Sequence, residues 1–429
     1  MKKLTTILII TLTVFVGFSQ ELTKTNDADF NLGNGISFSF NDGDYKFNIH
    51  GFIRPSYMSS EGEYFLENGV LNEVSKQFSA KSANLFFEGF AIKEKVSFVI
   101  QMDYTSSQPL VESYIGYHPL QNMSFYFGQK QVNHNNFEMT QNENHLRFTE
   151  RSLLSTTHTN FGEEFGLFFN YKFGNEIIYE PSLAITSGDG KNSFGADSRD
   201  TDLGGVKIGS RLNIYPMGPF SEGNNESSLD LVGEEELKVQ VGFAFSKNFG
   251  VSNSVGDGHY YDSDDDGVPD FDGDFLLYDA DGEIDLPNYS QVFFDLLMKY
   301  KGFSAVIEYA DSSASGIDEI YFDVDPTEEV ELALLSPSQI SSFLVLGSSF
   351  NIDLGYYMEK GYSFDFRFGV NKPEFENDST LMVDNKNFGL GISKYFVGNN
   401  LKLQFGAYKT DFDNGNKISY GEFLIQIVF

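Results

Sequence analysis

The chain has 429 residues and a formal net charge of −33, from 29 Lys plus Arg against 62 Asp plus Glu. Such an acidic chain repels nucleic acid, and the absence of cysteine excludes a disulfide scaffold and thiolate metal sites. Aromatic residues nevertheless make up 16% of the chain, although its mean hydropathy is only −0.26. A transmembrane β-barrel combines these properties, because its strands alternate lipid-facing apolar residues with polar lumen residues and add girdles of aromatic side chains.

The first 20 residues have the pattern of a secretory signal peptide. Lys2 and Lys3 give it a positive start, residues 4–18 form an uncharged apolar stretch, and small or polar residues end it. The stretch is shorter than the roughly 20 apolar residues of a membrane-spanning helix, so we favour an export signal over an N-terminal anchor helix. No cysteine lies near the cleavage point, which argues against a lipoprotein. No long apolar run follows, so the sequence excludes a helical membrane span.

Apolar and polar residues alternate with a period of two through much of the chain. Between positions 362 and 369 every second residue is aromatic, and the residues between them are Ser363, Asp365, Arg367 and Gly369. A charged residue on the second face must meet water, so that face lines a wet lumen if the first face meets lipid. The pattern predicts about sixteen strands, near residues 45–54, 83–91, 96–104, 110–117, 123–129, 166–173, 177–186, 204–215, 236–247, 291–300, 302–310, 341–350, 361–370, 386–396, 400–409 and 419–429.

The connections between these strands mostly alternate between short and long, as in outer-membrane barrels with short periplasmic turns and long extracellular loops. Residues 92–95 form a short connection, whereas 55–82, 130–165 and the acidic stretch 248–290 form long ones. One exception is 216–235, which is long where a periplasmic turn is expected. The predicted organisation is a signal peptide, a periplasmic segment and an all-β transmembrane antiparallel β-barrel, at residues 1–20, 21–44 and 45–429.

The last predicted strand ends on an aromatic residue. Phe423, Ile425, Ile427 and Phe429 alternate with more polar neighbours, and Phe429 is the final residue. This ending resembles the signal that the barrel assembly machinery of the outer membrane recognises. We therefore predict a protein of the cell outer membrane of a Gram-negative bacterium, with membrane lipid and the assembly machinery as partners and no nucleic acid. The alternative is a soluble edge strand that happens to come last.

Several motifs suggest a family. Phe127-Gly128-Gln129-Lys130 is followed by Leu-Arg-Phe-Thr-Glu-Arg-Ser at 146–152 and by Phe-Gly-Leu at 165–167. Together they resemble the third-loop region of the phosphate-selective porin O and P family. That resemblance implies a sixteen-stranded barrel, commonly a homotrimer, whose third loop at 130–165 folds into the lumen. The charged and titratable residues of the loop, which it makes candidates for the channel constriction, are Lys130, His134, Glu138, Glu143, His145, Arg147, Glu150 and Arg151.

The sequence departs from this family in its few arginines. An anion-selective pore needs a basic lining, but this chain has six Arg, and Glu150 and Arg151 have the alternative role of pinning the loop to the wall. We therefore expect an open pore to be non-selective or to prefer cations. The opposing possibility is a local basic patch on the polar faces of the strands, formed by Lys207, Arg211, Lys238, Arg367 and Lys402.

The predicted function is passive diffusion of small hydrophilic solutes or ions, with phosphate or other anions left open. The alternative is a non-conducting barrel that serves as a subunit or scaffold of a larger outer-membrane complex. Enzymatic activity is not expected, because the chain has no His-Glu-x-x-His, Gly-x-Ser-x-Gly or phosphate-binding glycine loop. No cofactor is required on this interpretation.

One acidic motif is compatible with a bound calcium ion. The side chains of Asp262, Asp264, Asp266 and Asp270 and the carbonyl of Val268 supply oxygen donors, and Ca²⁺ takes 6–8 oxygen ligands. The spacing resembles the calcium loops of thrombospondin type 3 repeats. It departs from an EF-hand because Gly273 stands where a bidentate Glu is expected. The alternative is a solvated acidic loop without an ion.

Overall fold

The computed structural model describes residues 26–66, 69–106, 109–159, 162–188, 205–255, 274–323, 332–377 and 379–429. The predicted signal peptide lies outside the described residues. The strands are β1 (Asp27–Asn31), β2 (Gly35–Phe40), β3 (Tyr45–Leu66), β4 (Gly69–Ala91), β5 (Val96–Asp103), β6 (Leu110–Leu120), β7 (Met123–Gln131), β8 (Glu163–Tyr171), β9 (Phe173–Gly174), β10 (Ile178–Thr186), β11 (Lys207–Tyr215), β12 (Lys238–Asn248), β13 (Asn288–Tyr300), β14 (Phe303–Ser315), β15 (Tyr321–Asp323), β16 (Leu332–Leu334), β17 (Gly347–Tyr357), β18 (Tyr362–Pro373), β19 (Asn385–Val397), β20 (Leu401–Phe412) and β21 (Lys417–Val428).

The chain forms a closed sixteen-stranded antiparallel β-barrel. Its wall runs from β3 to β21, with β8 and β9 sharing one position beside β10 and with β15 and β16 forming a separate small hairpin. The last strand closes the wall against the first, in a register that runs from Lys417 opposite Glu63 to Val428 opposite Phe52. The prediction of an all-β barrel with about sixteen strands is therefore confirmed.

The alternating residues of each wall strand lie on opposite faces of the wall, with apolar side chains outside and polar side chains toward the lumen. In β18, Tyr362, Phe364 and Phe366 are exposed on the outer surface, whereas Asp365 and Arg367 are buried on the lumen side. Other outward apolar side chains are similarly exposed, for example Leu390 at 62%. Apolar residues outside and charged residues inside are the arrangement of a barrel that crosses a lipid bilayer. No helix in the described part of the chain is long and apolar enough to cross a membrane.

The two ends of the barrel differ in their connections. One end carries the start of β3, the C-terminal residue and tight turns such as 92–95, 121–122 and 358–361. Another turn there has two residues, Lys301 and Gly302, with φ values of 47° and 83°, as in a type I′ hairpin turn. The other end carries the described parts of the longer connections 104–109, 132–162, 249–287, 316–346 and 374–384.

The first hairpin differs from the prediction of a long loop between 55 and 82. β3 continues to Leu66 and β4 begins at Gly69, so their pairing extends to the tip of the hairpin. Nearly all of residues 71–78 are exposed to solvent. A strand that protrudes beyond the bilayer meets water on both faces, so it loses the alternation by which strands are recognised. The prediction of a loop there was wrong for this reason.

The predicted strand at 341–350 also begins later than expected. A 3₁₀ helix occupies Pro337–Ser342, and β17 begins only at Gly347. Ser336 precedes this helix, and its backbone N–H and hydroxyl both donate to Gln339 Oε1, each at 2.8 Å. The proline at the first helical position and this capping contact favour the helical turn over an extended start to the strand.

Candidate functional site

The third loop folds into the lumen and crosses to the far wall. It carries helix α1 (Leu153–His158), which begins where Ser152 Oγ accepts a hydrogen bond from Ser155 N at 3.2 Å. The imidazole of His158 lies 2.7 Å from Ser312 Oγ on β14 and 2.8 Å from Ser349 Oγ on β17. Thr149 N donates to the Tyr408 hydroxyl on β20 at 3.1 Å. The loop therefore leaves β7, contacts the opposite strands and returns to β8.

A second segment enters the lumen from the short-turn end. Residues 216–237, between β11 and β12, confirm the long connection that the sequence predicted there. The carboxylate of Asp230 accepts hydrogen bonds from the backbone N–H groups of Gly302, Gly233 and Glu234 at 2.7–3.0 Å. Lys299 Nζ donates to the carbonyl oxygens of Asn224 and Ser227 at 2.5 and 2.6 Å. These buried contacts hold the segment inside the wall formed by β13 and β14.

The third loop and segment 216–237 meet inside the barrel. Arg147 Nη2 donates to the carbonyl oxygen of Ser228 at 2.8 Å. Phe137 of the loop and Phe220 of the segment lie in one buried cluster with Leu297 and Val306 of the wall. Together the two chain segments occupy the part of the lumen that adjoins β11 to β20. We call this part the filled half.

Charged side chains of the filled half are used in buried contacts. Arg367 Nη2 lies 2.7 Å from Asp353 Oδ2 and 2.5 Å from Glu138 Oε1, and Arg211 Nη2 lies 2.6 Å from Asp295 Oδ1. Such pairing is needed because an isolated buried charge costs several kcal/mol. The remaining bases of the possible basic patch are also engaged: Lys207 with Glu164, Lys402 with the carbonyl oxygens of Asn144 and Leu146, and Lys238 with that of Met217.

The part of the lumen that adjoins β3 to β8 contains a polar cavity of about 510 Å³. We call it the open half. Its charged lining residues are Arg54, Lys81, Asp103, Glu112, Lys130, Glu143, Glu150, Arg151 and Glu163. Most of the other lining residues are amides and hydroxyls, and they are Asn84, Gln101, Gln131, Asn133, Thr140, Asn142, Thr149, Thr156 and Thr159, with the apolar Val111, Met139 and Leu146. Acids and bases are nearly balanced there.

A second polar cavity of about 310 Å³ lies at the short-turn end and extends the open half to β10 and β11, where Ser182, Arg211 and Asn213 line it. Gln121 and Asn122 of a short turn and Lys172 and Glu180 beside another line it. It shares two lining residues with the larger cavity, namely Asn133 and Thr140 of the third loop. These two residues therefore lie between the two cavities, at a position that we call the neck.

The predicted constriction residues divide between the two halves. Lys130, Glu143, Glu150 and Arg151 line the larger cavity. His134, Glu138 and Arg147 are instead buried against the filled half, where Glu138 contacts Arg367 and Arg147 Nη2 donates to Ser304 Oγ at 2.7 Å. The ring of His145 lies 3.8 Å from Glu226 of segment 216–237.

Glu150 and Arg151 line the cavity, and their contacts also fix the loop. The Glu150 carboxylate contacts Lys81, and its carbonyl oxygen accepts from Arg367 Nη1 at 3.0 Å. Arg151 donates to the carbonyl oxygens of Glu138 and Gln141 at 2.6 and 2.9 Å.

Burial controls the protonation of the loop groups. It lowers the pKa of His158 to about 3, and burial together with the charge of Lys402 lowers the pKa of His145 to about 4. Both rings are therefore neutral near pH 7. Burial alone would raise the pKa of Glu143, but the charges of Arg54 and Arg151 hold this pKa below its usual value. The Glu143 carboxylate is therefore ionised beside Arg54.

Sequence reasoning missed the wall residues of the cavity. Arg54, Lys81, Asp103 and Glu112 lie on or beside strands β3 to β6 and face the third loop. The available signal was the charge on the polar face of an alternating strand, because a charge on that face must point into the lumen. Which of these charges reach the cavity depends on where the loop settles, and local sequence does not specify this position.

The predicted calcium ligands at 262–270 lie outside the described residues. The described residues contain no group of three or more His, Cys, Asp or Glu side chains arranged to hold a metal ion. Beside the acidic stretch, Asn253 Nδ2 donates to Asp274 Oδ1 at 2.6 Å. Asp279 Oδ1 accepts the backbone N–H groups of Asp281 and Glu283, which is a turn contact.

The fold and the lumen define a transmembrane β-barrel in which chain segments occupy about half of the interior. No family model and no curated protein matches the chain at the sequence level. Similar solved structures include the anion-selective porin of Comamonas acidovorans, with 8% identity, a TM-score of 0.49 and coverage of 90% of this chain and 100% of that one. OprB of Pseudomonas putida has 9% identity, a TM-score of 0.48 and coverage of 88% and 94%. In-vitro folded OmpT of Vibrio cholerae has 9% identity, a TM-score of 0.48 and coverage of 90% and 98%.

Proposed function

We propose that this protein is an outer-membrane porin through which small hydrophilic solutes diffuse passively. The observation that supports the proposal is the pair of adjoining polar cavities in the open half, with Asn133 and Thr140 between them. Diffusion would follow this side of the lumen, because the third loop and segment 216–237 occupy the other side. The mechanism is filtering by size and charge at a narrow point, without a chemical step.

The lining favours a weakly selective channel over a phosphate-specific one. The larger cavity has five acidic and four basic side chains. Two of its bases are in ion pairs, since Arg54 Nη1 lies 3.2 Å from Glu143 Oε2 and Lys81 contacts Glu150. A selective anion pore needs an excess of basic groups along its path. The resemblance to the phosphate-selective family therefore stays a prediction, and we extend it only to the barrel and the pore.

Conductance of the refolded protein in a planar bilayer tests the proposal. We expect discrete current steps in the unaltered protein and smaller steps in Asn133→Trp, because the larger side chain narrows the neck. Lys409→Trp, on an exposed outward position of β20, is the matched control and should conduct normally. If the folded barrel carries no current, the porin proposal fails.

The alternative is a non-conducting barrel that serves in a larger outer-membrane complex. The filled half favours it, because the third loop and segment 216–237 leave less of the lumen for a solute path. Absence of current, together with isolation of a stable assembly after mild detergent extraction, would support this second function.

We further propose the cellular context that the sequence predicted. Export by residues 1–20 and recognition of the terminal Phe429 by the barrel assembly machinery would deliver the chain to the outer membrane. In the described structure, Phe429 exchanges two backbone hydrogen bonds of 2.8 Å with Gly51, so the last residue lies where the wall closes. A homotrimer, a calcium ion at 262–270 and the absence of enzymatic activity stay predictions.

A further inference from the structure

Arg54 has an unusual set of contacts for a buried cation. Its side chain is 1% exposed and lies in the wall of the larger cavity. Its Nη1 donates to Glu143 Oε2 at 3.2 Å, but Nε and Nη2 are buried and have no hydrogen-bond partner among the described residues. From this we propose that Arg54 is a specificity-determining residue, which binds the carboxylate of a zwitterionic solute such as an α-amino acid or short peptide. This inference rests on the proposed channel.

The two unpartnered nitrogens form one edge of the guanidinium group. The N–H bonds of Nε and Nη2 are parallel, and together they match the two oxygens of a carboxylate. The third nitrogen, Nη1, is the one that Glu143 already occupies. A buried donor without a partner costs about 1–3 kcal/mol, and such groups in native proteins require an explanation. A ligand carboxylate would satisfy both donors at once.

The backbone is irregular where Arg54 lines the cavity. β3 and β4 form a bulge here, in which Arg54 stands opposite both Lys81 and Ser82. Lys81 adopts a φ of 50° in the bulge, and its amino group turns inward to the Glu422 carboxylate at 2.8 Å. Bulges redirect side chains and occur frequently beside functional sites. The bulge thus brings Lys81 next to Arg54, and Lys81 is itself paired with Glu150 and Glu422.

The rest of the lining favours a zwitterion over a simple anion. Lys81 is paired with Glu150 and Glu422, and Arg151 donates to carbonyl oxygens of its own loop. The cavity has five acidic and four basic side chains, so it offers carboxylates to a cation as well as bases to an anion. An ammonium group on the same solute would be attracted by those carboxylates. Phosphate lacks this second group.

Current blockade in a planar bilayer tests the site. The probes are L-alanine, alaninamide, acetate and inorganic phosphate, each added to the refolded full-length barrel. We expect alanine to reduce the current at the lowest concentration. Alaninamide lacks the carboxylate and acetate lacks the ammonium group, so both should block less. Equal blockade by alanine and alaninamide would overturn the proposal, as would stronger blockade by phosphate.

Substitution of Arg54 gives a second measurement. Arg54→Lys keeps the charge but removes the paired donors, so the half-blocking concentration of alanine should rise about tenfold. Lys409→Gln removes an exposed base outside the cavity and should leave blockade unchanged. An unaltered alanine response in folded Arg54→Lys would contradict the assignment. The shift in electrophoretic mobility on heating shows whether the variant is folded. If it does not fold, the blockade series on the unaltered protein tests the proposal by itself.

The two proposals fail in different ways. If the unaltered barrel carries no current, the channel itself is refuted, and calorimetry with alanine and alaninamide on the detergent-solubilised barrel then tests Arg54 directly. Current without preferential blockade by alanine refutes only the carboxylate site. Heat from alanine but not from alaninamide, lost in Arg54→Lys, would support the site in either case.

Discussion

The two halves of the lumen use similar residue types for different purposes. In the filled half, arginines and carboxylates form buried pairs such as Arg367–Asp353, and chain segments occupy the lumen around them. In the open half, Glu143 and Glu150 remain about 40% exposed although they also pair with bases. Charge content therefore does not separate a pore lining from a structural core in this barrel. What separates them is whether a chain segment covers the charges.

Removal of segment 216–237 should have the largest effect on the difference between the filled and the open half. Replacing residues 218–235 with an Asn-Gly turn, together with Lys299→Met to avoid leaving a buried unpaired cation, should open the short-turn end of the filled half. We expect single-channel conductance to rise roughly twofold, because the open cross-section increases. A variant with Glu222, Glu226, Glu235 and Glu236 changed to Gln keeps the segment and serves as the control. Unchanged conductance after the deletion would show that the segment does not obstruct the lumen.

Loss of one buried base should loosen the filled half. Arg367→Met leaves Asp353 and Glu138 without their cation, and breaking a buried pair costs about 3–5 kcal/mol. Unfolding in denaturant, followed by tyrosine fluorescence, measures the change. The control is Lys409→Met, which breaks an exposed pair with Asp411 and should cost less than about 1 kcal/mol. A similar loss of unfolding free energy in both variants would mean that the buried pair of the filled half contributes no more to stability than a surface pair.

Acid should release the third loop through His158. The folded pKa of this ring is about 3, below its ordinary value of 6.5, because burial disfavours the charged form. The unfolded chain therefore binds more protons between these values, and stability falls as the pH drops from about 6.5 toward 3. At pH 4 the loss is on the order of 3 kcal/mol. We expect the current to become noisier between pH 6 and pH 4.

His158→Gln is the control for this effect. A glutamine at this position keeps polar contact with Ser312 and Ser349 but does not titrate in this range. The variant should therefore show steadier currents at pH 4 than the unaltered protein. If its current noise rises with acid as before, another group such as His145, whose pKa is about 4, is responsible.

The smallest expected effect concerns ion selectivity. Glu112→Gln removes one acid from the open half but keeps the side-chain oxygen that accepts from Gln131 N at 2.7 Å. We expect the reversal potential in a salt gradient to move slightly toward anion preference. Glu94→Gln, at an exposed turn outside the cavity, should leave it unchanged. A strong anion preference in the unaltered protein would contradict the expected non-selective or cation-preferring pore.

The sequence predicted the wall much better than the lumen. A bilayer imposes an apolar face on every strand that crosses it, so residues such as Phe364 and Phe366 identified β18 by alternation alone. No comparable rule acts inside the barrel. Arg211 and Asp295 are 84 residues apart, and their pairing depends on strand registers that composition does not reveal.

The same reason explains the division of the predicted loop residues. Arg151 lines the cavity, whereas Arg147, four positions earlier, reaches Ser228 of segment 216–237. The sequence presents both as charged members of one loop. Only the path of that loop across the lumen decides which base faces the solute and which supports the interior. Arg54 was missed because its role comes from the cavity that the loop leaves beside β3.

The anchoring of the third loop also bears on the folding of the barrel. Lys402 and Gln426, on β20 and β21, both donate to the carbonyl oxygen of Asn144, at 3.0 and 2.9 Å. These strands lie near the end of the chain, and their contacts with Asn144 exist only when the loop is inside the lumen. Placement of the loop and completion of this part of the wall are therefore linked in folding. A barrel that closed with this loop outside would leave Lys402 without the carbonyl oxygens that now surround it.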